Sequence, residues 1–217
     1  SFYEPFHNGF SNLCYSLENR LTQTAYNLVL EEVNQALGLE VKVEYFTIPN
    51  DSYGALTRIV TIKNTSRFTQ NIRVLDGLPQ IMPFGMNNWL SKEMSRTIEA
   101  WMTVDNLDKK APFYRLAVDP ADRPEVVHIK EGNFYAGFDH ASGDTCSLLD
   151  PIVDPSLVFG PITDYTCPHH FIAQKNFRFS KSNHLSRNIT PSALVSLEAN
   201  LKKDQEKTFY SLIGYAY

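Results

Sequence analysis

The chain has 217 residues, 43% of them hydrophobic and 12% aromatic, with a formal net charge of −4. That is apolar material for one sizeable core, and the acidic balance argues against nucleic acid, whose phosphates demand a basic surface. No apolar run approaches the roughly 20 residues of a membrane-spanning helix, no basic start leads into an apolar leader segment, and three widely spaced cysteines (Cys14, Cys146, Cys167) make a poor disulfide framework, so a cytoplasmic location is expected.

In chain order, Leu13 to Glu18 reads as a strand. The following stretch from Leu21 to Val33 is ambiguous, because Leu21, Ala25, Leu28 and Glu32 have helical spacing while Thr22, Thr24, Tyr26, Leu28 and Leu30 alternate. The alternation favours a strand, followed by a helical turn at Asn34–Leu37 that Gly38 closes. Three runs then alternate with strand period, Val41–Ile48, Ala55–Ile62 and Asn71–Leu78. Turn clusters divide them: Pro49-Asn50-Asp51-Ser52 and Lys63-Asn64-Thr65-Ser66-Arg67. Short polar turns between such runs point to an antiparallel meander within a sandwich rather than to a βαβ unit.

After Gly85 the period changes. Leu90, Met94 and Ile98 recur at helical spacing behind an Asn start signal, which predicts a short helix over 87–96. Thr97–Val104, Pro112–Val118, Val126–Ile129 and Phe134–Phe138 read as strands. His140–Cys167 carries too many Gly and Pro residues for regular structure, and so long a loop is expected to be functional or packed on a partner. Phe171–Phe179 reads as a strand, and Ala193–Ala199 and Thr208–Ala216 as two strands joined by a charged hairpin connection. The chain contains no internal repeat or linker and is expected to form one all-β domain with one or two short helices.

Local chemistry is sparse. Cys167-Pro168-His169-His170 offers only three neighbouring metal-ligand types, with the two His side chains on opposite faces of a strand, so it reads as a loop rather than a zinc site. His140 beside Asp139 and near Asp144 has the residue types of acid–base work, but in a Gly-Asp loop they read as polar side chains facing solvent. The triplets Asn64-Thr65-Ser66 and Asn188-Ile189-Thr190 fit the glycosylation pattern formally but read as turns in which Asn and Ser bond their own backbone. Asp76, Glu93, Glu99 and Asp105 are carboxylates of the kind glycosidic chemistry uses, yet no pair stands out by spacing.

One resemblance organises these elements. Tyr45-Phe46-Thr47-Ile48-Pro49, then Lys63-Asn64-Thr65-Ser66, then Val74-Leu75-Asp76-Gly77-Leu78-Pro79-Gln80-Ile81-Met82-Pro83-Phe84-Gly85 occur in order. Trp101-Met102, Gly132-Asn133-Phe134-Tyr135 and Ser211-Leu212-Ile213-Gly214-Tyr215 continue the series. Together they resemble the N-terminal β-domain of the inverting glycoside phosphorylases, the cellobiose-phosphorylase clan, and most closely its β-1,2-oligoglucan phosphorylase branch. The resemblance implies an antiparallel supersandwich of the galactose mutarotase type. It also implies a fragment, residues 1–217, of an enzyme that cleaves β-linked gluco-oligosaccharides to glucose 1-phosphate, with inorganic phosphate as co-substrate and no other cofactor.

In that family the general acid and phosphate site lie in an (α/α) barrel, so no catalytic or metal-binding residue carries over and the fragment is expected to be inactive by itself. Its expected partners are the barrel, a β-glucan oligosaccharide and, through an apolar patch the barrel would cover, a second copy. Asn87, Asn88, Trp89 and Trp101 are the expected sugar-contacting residues, since aromatic faces stack on sugar rings and amides match paired hydroxyls. Trp89 and Trp101 also read as packing residues. Two alternatives are a stand-alone carbohydrate-binding module and an aldose mutarotase-like enzyme, the latter needing a Glu and paired His that no pattern here supplies.

Overall fold

In the computed structural model, residues 2–7, 17–121, 124–140, 146–175, 177–178 and 184–217 are described. Leu13–Ser16 of the first expected strand, and Cys14 with it, lie outside them. Twelve strands and three short α-helices are present among the described residues, and the fold is all-β, antiparallel and sandwich-like. The chain divides into two compact units, and β5 (Gln70–Leu78), β8 (Gly132–His140), β11 (Ala193–Leu201) and β12 (Glu206–Ala216) each have residues in both.

The first unit comprises Ser1–Leu75, Gly137–Leu149 and Ser196–Leu212. Its sheet begins with β1 (Leu17–Gln23), β2 (Asn27–Asn34), β3 (Leu39–Thr47) and β4 (Ala55–Asn64), all antiparallel. β12 follows β4, then β8, which carries the short β9 (Cys146–Leu148). The ambiguous segment after Leu21 is therefore two strands, not one. Thr24 breaks it: its hydroxyl accepts the N–H groups of Tyr26 and Asn27, closing a tight turn that reverses the chain.

Alternation does build the core. Leu39, Val41 and Val43 of β3 and Val60 and Ile62 of β4 are buried together with Leu197 and Leu201 of β11 and Phe209 of β12. Each such side chain contributes about 1.5–3 kcal/mol on burial. The expected meander of three strands is corrected at β5, which pairs with β11 in a separate sheet. The place beside β4 belongs to β12, where Thr61 and Thr208 share a hydroxyl hydrogen bond of 3.1 Å. For the same reason β11 and β12 are not hairpin partners, and their charged connection passes from one sheet to the other.

The second unit comprises Asp76–Ala136, Asp150–Val195 and Ile213–Tyr217. Here β6 (Met102–Asp105), β7 (Phe113–Leu116) and the start of β8 are antiparallel, as are β10 (Pro151–Ile152) and β11. Gly77, at φ +123°, lies where β5 meets β11 so closely that a Cβ would sit 2.0 Å from the Ala193 carbonyl oxygen. Tyr114 and Tyr135 are fully buried, and burial, reinforced by Tyr135, pushes the Tyr114 phenol well above its ordinary value. Its hydroxyl donates to the Ser192 carbonyl at 3.1 Å.

Four expectations change along the chain after Gly85. The predicted helix is present as α1 (Asn88–Glu93), but Ser95–Trp101 continues it as a 3₁₀ helix, so the expected strand from Thr97 starts only at Met102. Its apolar spacing serves a helical face, with Ile98 buried against Leu90, Met102 and Leu116. Val126–Ile129 forms a single bridge, His128 to Val118, and its two valines are exposed. The Phe171–Phe179 strand is replaced by α3 (His169–Ala173), in which the Ile172 N–H returns to the Pro168 carbonyl; residues 176 and 179 lie outside the described set. The breaker-rich 140–167 stretch is partly regular, holding β9, β10 and α2 (Ser156–Phe159).

Candidate functional site

The expected sugar-contacting residues separate into different roles. Asn87 is the N-cap of α1: its side-chain oxygen accepts the Leu90 N–H at 2.8 Å, satisfying a donor that the helix start leaves open. Leu90 is buried and pins the helix to the unit. Between cap and pin, Asn88 and Trp89 face solvent, and the indole is 64% exposed. Trp101 is instead half-buried and packs on the cluster of Leu90, Ile98, Met102 and Leu116. The structure thus leaves Trp89 and Asn88 free to meet a ligand and commits Asn87 and Trp101 to holding the helix.

The carboxylates singled out in the sequence are mostly structural. Asp105 receives two donors from Arg115, at 2.7 and 2.9 Å, while the same guanidinium donates to the Ile129 carbonyl at 2.8 Å. That forked geometry ties β6 to β7. Glu99 accepts the Thr190 hydroxyl at 2.9 Å and faces Arg96. Thr190 belongs to the second glycosylation-like triplet, whose Asn188 has left-handed backbone at φ 60°. Glu93 is exposed.

Two features of the second unit escaped sequence reading. His184 Nε2 accepts the backbone N–H groups of Val153 (2.8 Å) and Asp154 (3.2 Å). Burial lowers its pKa below the ordinary 6.5, with Asp154 acting in the opposite direction. The buried Asp154 carboxylate accepts the backbone N–H and hydroxyl of Ser156 and the N–H of Leu185. Serine, aspartate and histidine meet here, but the serine donates to the carboxylate and the imidazole acceptor is filled by backbone. This is a clasp for the 153–156 turn, not a nucleophile with its base. His170 is spent similarly, its Nδ1 lying 3.1 Å from the Ser156 carbonyl. Among the described residues, no group of three or more His, Cys, Asp or Glu is arranged to hold a metal.

In the first unit, the turns β2–β3 and β4–β5 enclose an open recess of about 640 Å³. Gly38, with φ +64°, forms its floor against Ser66, whose Cβ would lie 2.5 Å from a Cβ on Gly38. Phe68, 79% exposed, and Arg67 stand at the rim. Asn64 builds the second turn. It is fully buried, its amide donates to the carbonyls of Phe68 and Leu201, and its oxygen accepts the Ser66 N–H and hydroxyl. The first glycosylation-like triplet is therefore turn chemistry, as its residues suggested. Gln70 crosses the recess to the Leu37 carbonyl at 2.7 Å and Ser66 Oγ at 3.1 Å.

Beyond the recess, the N-terminal segment of this unit is anchored through a buried acid. Tyr3 Oη and the Phe6 N–H both donate to the Glu32 carboxylate on β2. Burial and this carboxylate raise the Tyr3 pKa. No helix among the described residues is long and apolar enough to cross a membrane. The chain matches no known protein-family model and no curated protein sequence.

Proposed function

We propose that the chain is a non-catalytic β-domain of a cytoplasmic glycoside phosphorylase acting on β-linked gluco-oligosaccharides, packing on the catalytic barrel and contributing a sugar contact at its rim. The observation that carries the reading is Trp89: a large aromatic face left in solvent by a helix that is capped by Asn87 and pinned by Leu90. An exposed indole beside an amide offers an apolar ring for stacking and paired donor and acceptor for hydroxyls. The all-β, sandwich-like fold is the architecture that the resemblance implies.

Tryptophan fluorescence titrated with β-1,2-linked and other β-linked gluco-oligosaccharides tests the contact. Saturable change in the native chain, lost in Trp89→Ala and kept in Phe68→Ala, supports it. No response to any β-glucan overturns it. Phosphorolysis then tests the enzyme assignment: glucose 1-phosphate is expected from the longest open reading frame that encodes the chain, and not from residues 1–217 alone. A stand-alone carbohydrate-binding module is the second reading, favoured by the recess with its exposed Phe68. Binding that Phe68→Ala abolishes and Trp89→Ala spares would select it.

A further inference from the structure

Strand β1 is the terminal strand of its sheet, and among the described residues nothing pairs with its outer edge. Six of its seven residues, Glu18 to Gln23, are exposed, and Leu21 is 64% exposed. An unpaired edge of this length offers a row of backbone donors and acceptors to any strand that can lie beside it. Neither proline nor a bulge blunts it, since β1 contains no proline and its pairing with β2 runs through all seven residues; its charges, Glu18 and Arg20, are of opposite sign.

Side-chain order identifies the partner. The register with β2 places Leu17, Asn19 and Leu21 on the face of Leu30 and Glu32, and Glu18 and Arg20 on the face of Glu31 and Val33. When an antiparallel strand pairs with its own copy about a two-fold axis, one residue lies opposite itself and its neighbours cross over. Centring on Glu18 opposes two carboxylates, and centring on Arg20 opposes two guanidinium groups. Centring on Leu21 leaves both charges without an opposite charge. Centring on Asn19 alone sets Glu18 against Arg20 twice, Leu17 against Leu21 twice, and Asn19 against itself, an amide pair able to donate and accept. Opposite charges and apolar pairs directly across strands are the contacts that stabilise a ladder. With Glu31 already opposite Arg20 in the hairpin, the exposed face would read Glu31, Arg20, partner carboxylate in alternating sign.

We propose that β1 is a self-association edge: two copies of this chain pair antiparallel through β1 about a two-fold axis at Asn19. This is independent of any sugar site. The test is sedimentation velocity of the full chain from low micromolar to near-millimolar concentration. The native chain is expected to pass from monomer to dimer. Arg20→Glu and Glu18→Arg should each weaken association about tenfold or more, equivalent to roughly 1.4 kcal/mol. The double variant Glu18→Arg/Arg20→Glu should restore it, because the exchanged charges again face their opposites; the Arg20→Glu single variant has the same carboxylate pair at positions 20 and 31, so it is the matched reference. Both substituted positions, 18 and 20, are solvent-exposed, and circular dichroism of each variant checks that it folds. A chain monomeric at every concentration overturns the proposal, as does a dimer that ignores the single substitutions or one that the double variant does not recover.

Discussion

Asn64→Ala tests the claim that one buried amide holds the β4–β5 turn and the wall of the recess. Asn64 is 0% exposed and makes four side-chain hydrogen bonds, to Phe68 O (2.7 Å), Leu201 O (2.8 Å), Ser66 N (2.9 Å) and Ser66 Oγ (2.7 Å). Alanine removes all four, but the losses are unequal. The Leu201 carbonyl is buried and would be orphaned, costing about 1–3 kcal/mol. The Phe68 and Ser66 groups sit in the turn and can return to water, so their bonds cost about 0.5–1.5 kcal/mol each. The sum is about 2.5–7.5 kcal/mol, centred on about 5, a large share of a domain's usual stability of roughly 5–15 kcal/mol. Urea unfolding should show a lower midpoint at unchanged slope, the mark of a stability change without a change in the surface exposed. Asn64→Asp should be at least as harmful, since it keeps the acceptor but turns a negative charge toward two carbonyls. A loss below about 1 kcal/mol for Asn64→Ala would refute the assignment, because it is less than one orphaned carbonyl costs.

Gly77→Ala should fail to accumulate as folded protein or lose several kcal/mol in thermal unfolding, because its Cβ meets the Ala193 carbonyl at 2.0 Å and its φ of +123° is strained for any L side chain, a cost of about 1–3 kcal/mol before the clash. Stability should be flat between about pH 6.5 and pH 10 and fall on both sides. On the acid side His184 is held neutral in the fold, so its contribution is complete above the unfolded value of 6.5 and lost as pH drops through the lowered folded value. On the alkaline side Tyr3 and Tyr114 are held protonated, so theirs is complete below 10.0 and lost as pH rises above it. His184→Gln should flatten the acid limb selectively, read from unfolding midpoints across pH; an unchanged limb removes His184 as its cause. Tyr3→Phe should cost about 1.5–3 kcal/mol, the range for a hydrogen bond to a charged group, measured by urea midpoint.

Much of the fold was legible because period-2 alternation is a local property. β3, β4, β5, β11 and β12 fall close to where Val41–Ile48, Ala55–Ile62, Asn71–Leu78, Ala193–Ala199 and Thr208–Ala216 alternate. Which strand lies beside which is not local, and that is where reading failed: nothing in the residues of β5 says that β12 has taken the place beside β4. Short apolar runs misled for another reason. Thr97–Trp101 and His169–Ala173 carry apolar residues that a strand or one helical turn would bury equally well, and only the packing of Ile98 and Phe171 decides. Asn87 was legible as a helix start, so Trp89 was placed correctly on the first turn of α1. The recess was not legible, since it joins two turns that each looked like ordinary punctuation, and the burial of Asn64 depends on Leu201, 137 positions away.

That distance also sets a schedule for synthesis. Leu39, Val41, Val43, Val60 and Ile62 emerge from the ribosome long before Leu197, Leu201 and Phe209, which complete the same core. Thr61 and Thr208 are 147 positions apart, so at about 5–20 residues per second the early strands wait roughly 7–30 s for the last one. Throughout that interval a row of β-branched side chains stands uncovered beside the open edge of β4. Nascent-chain chaperones that bind short apolar β segments therefore have a window measured in seconds, and slowing translation after Asn64 lengthens it.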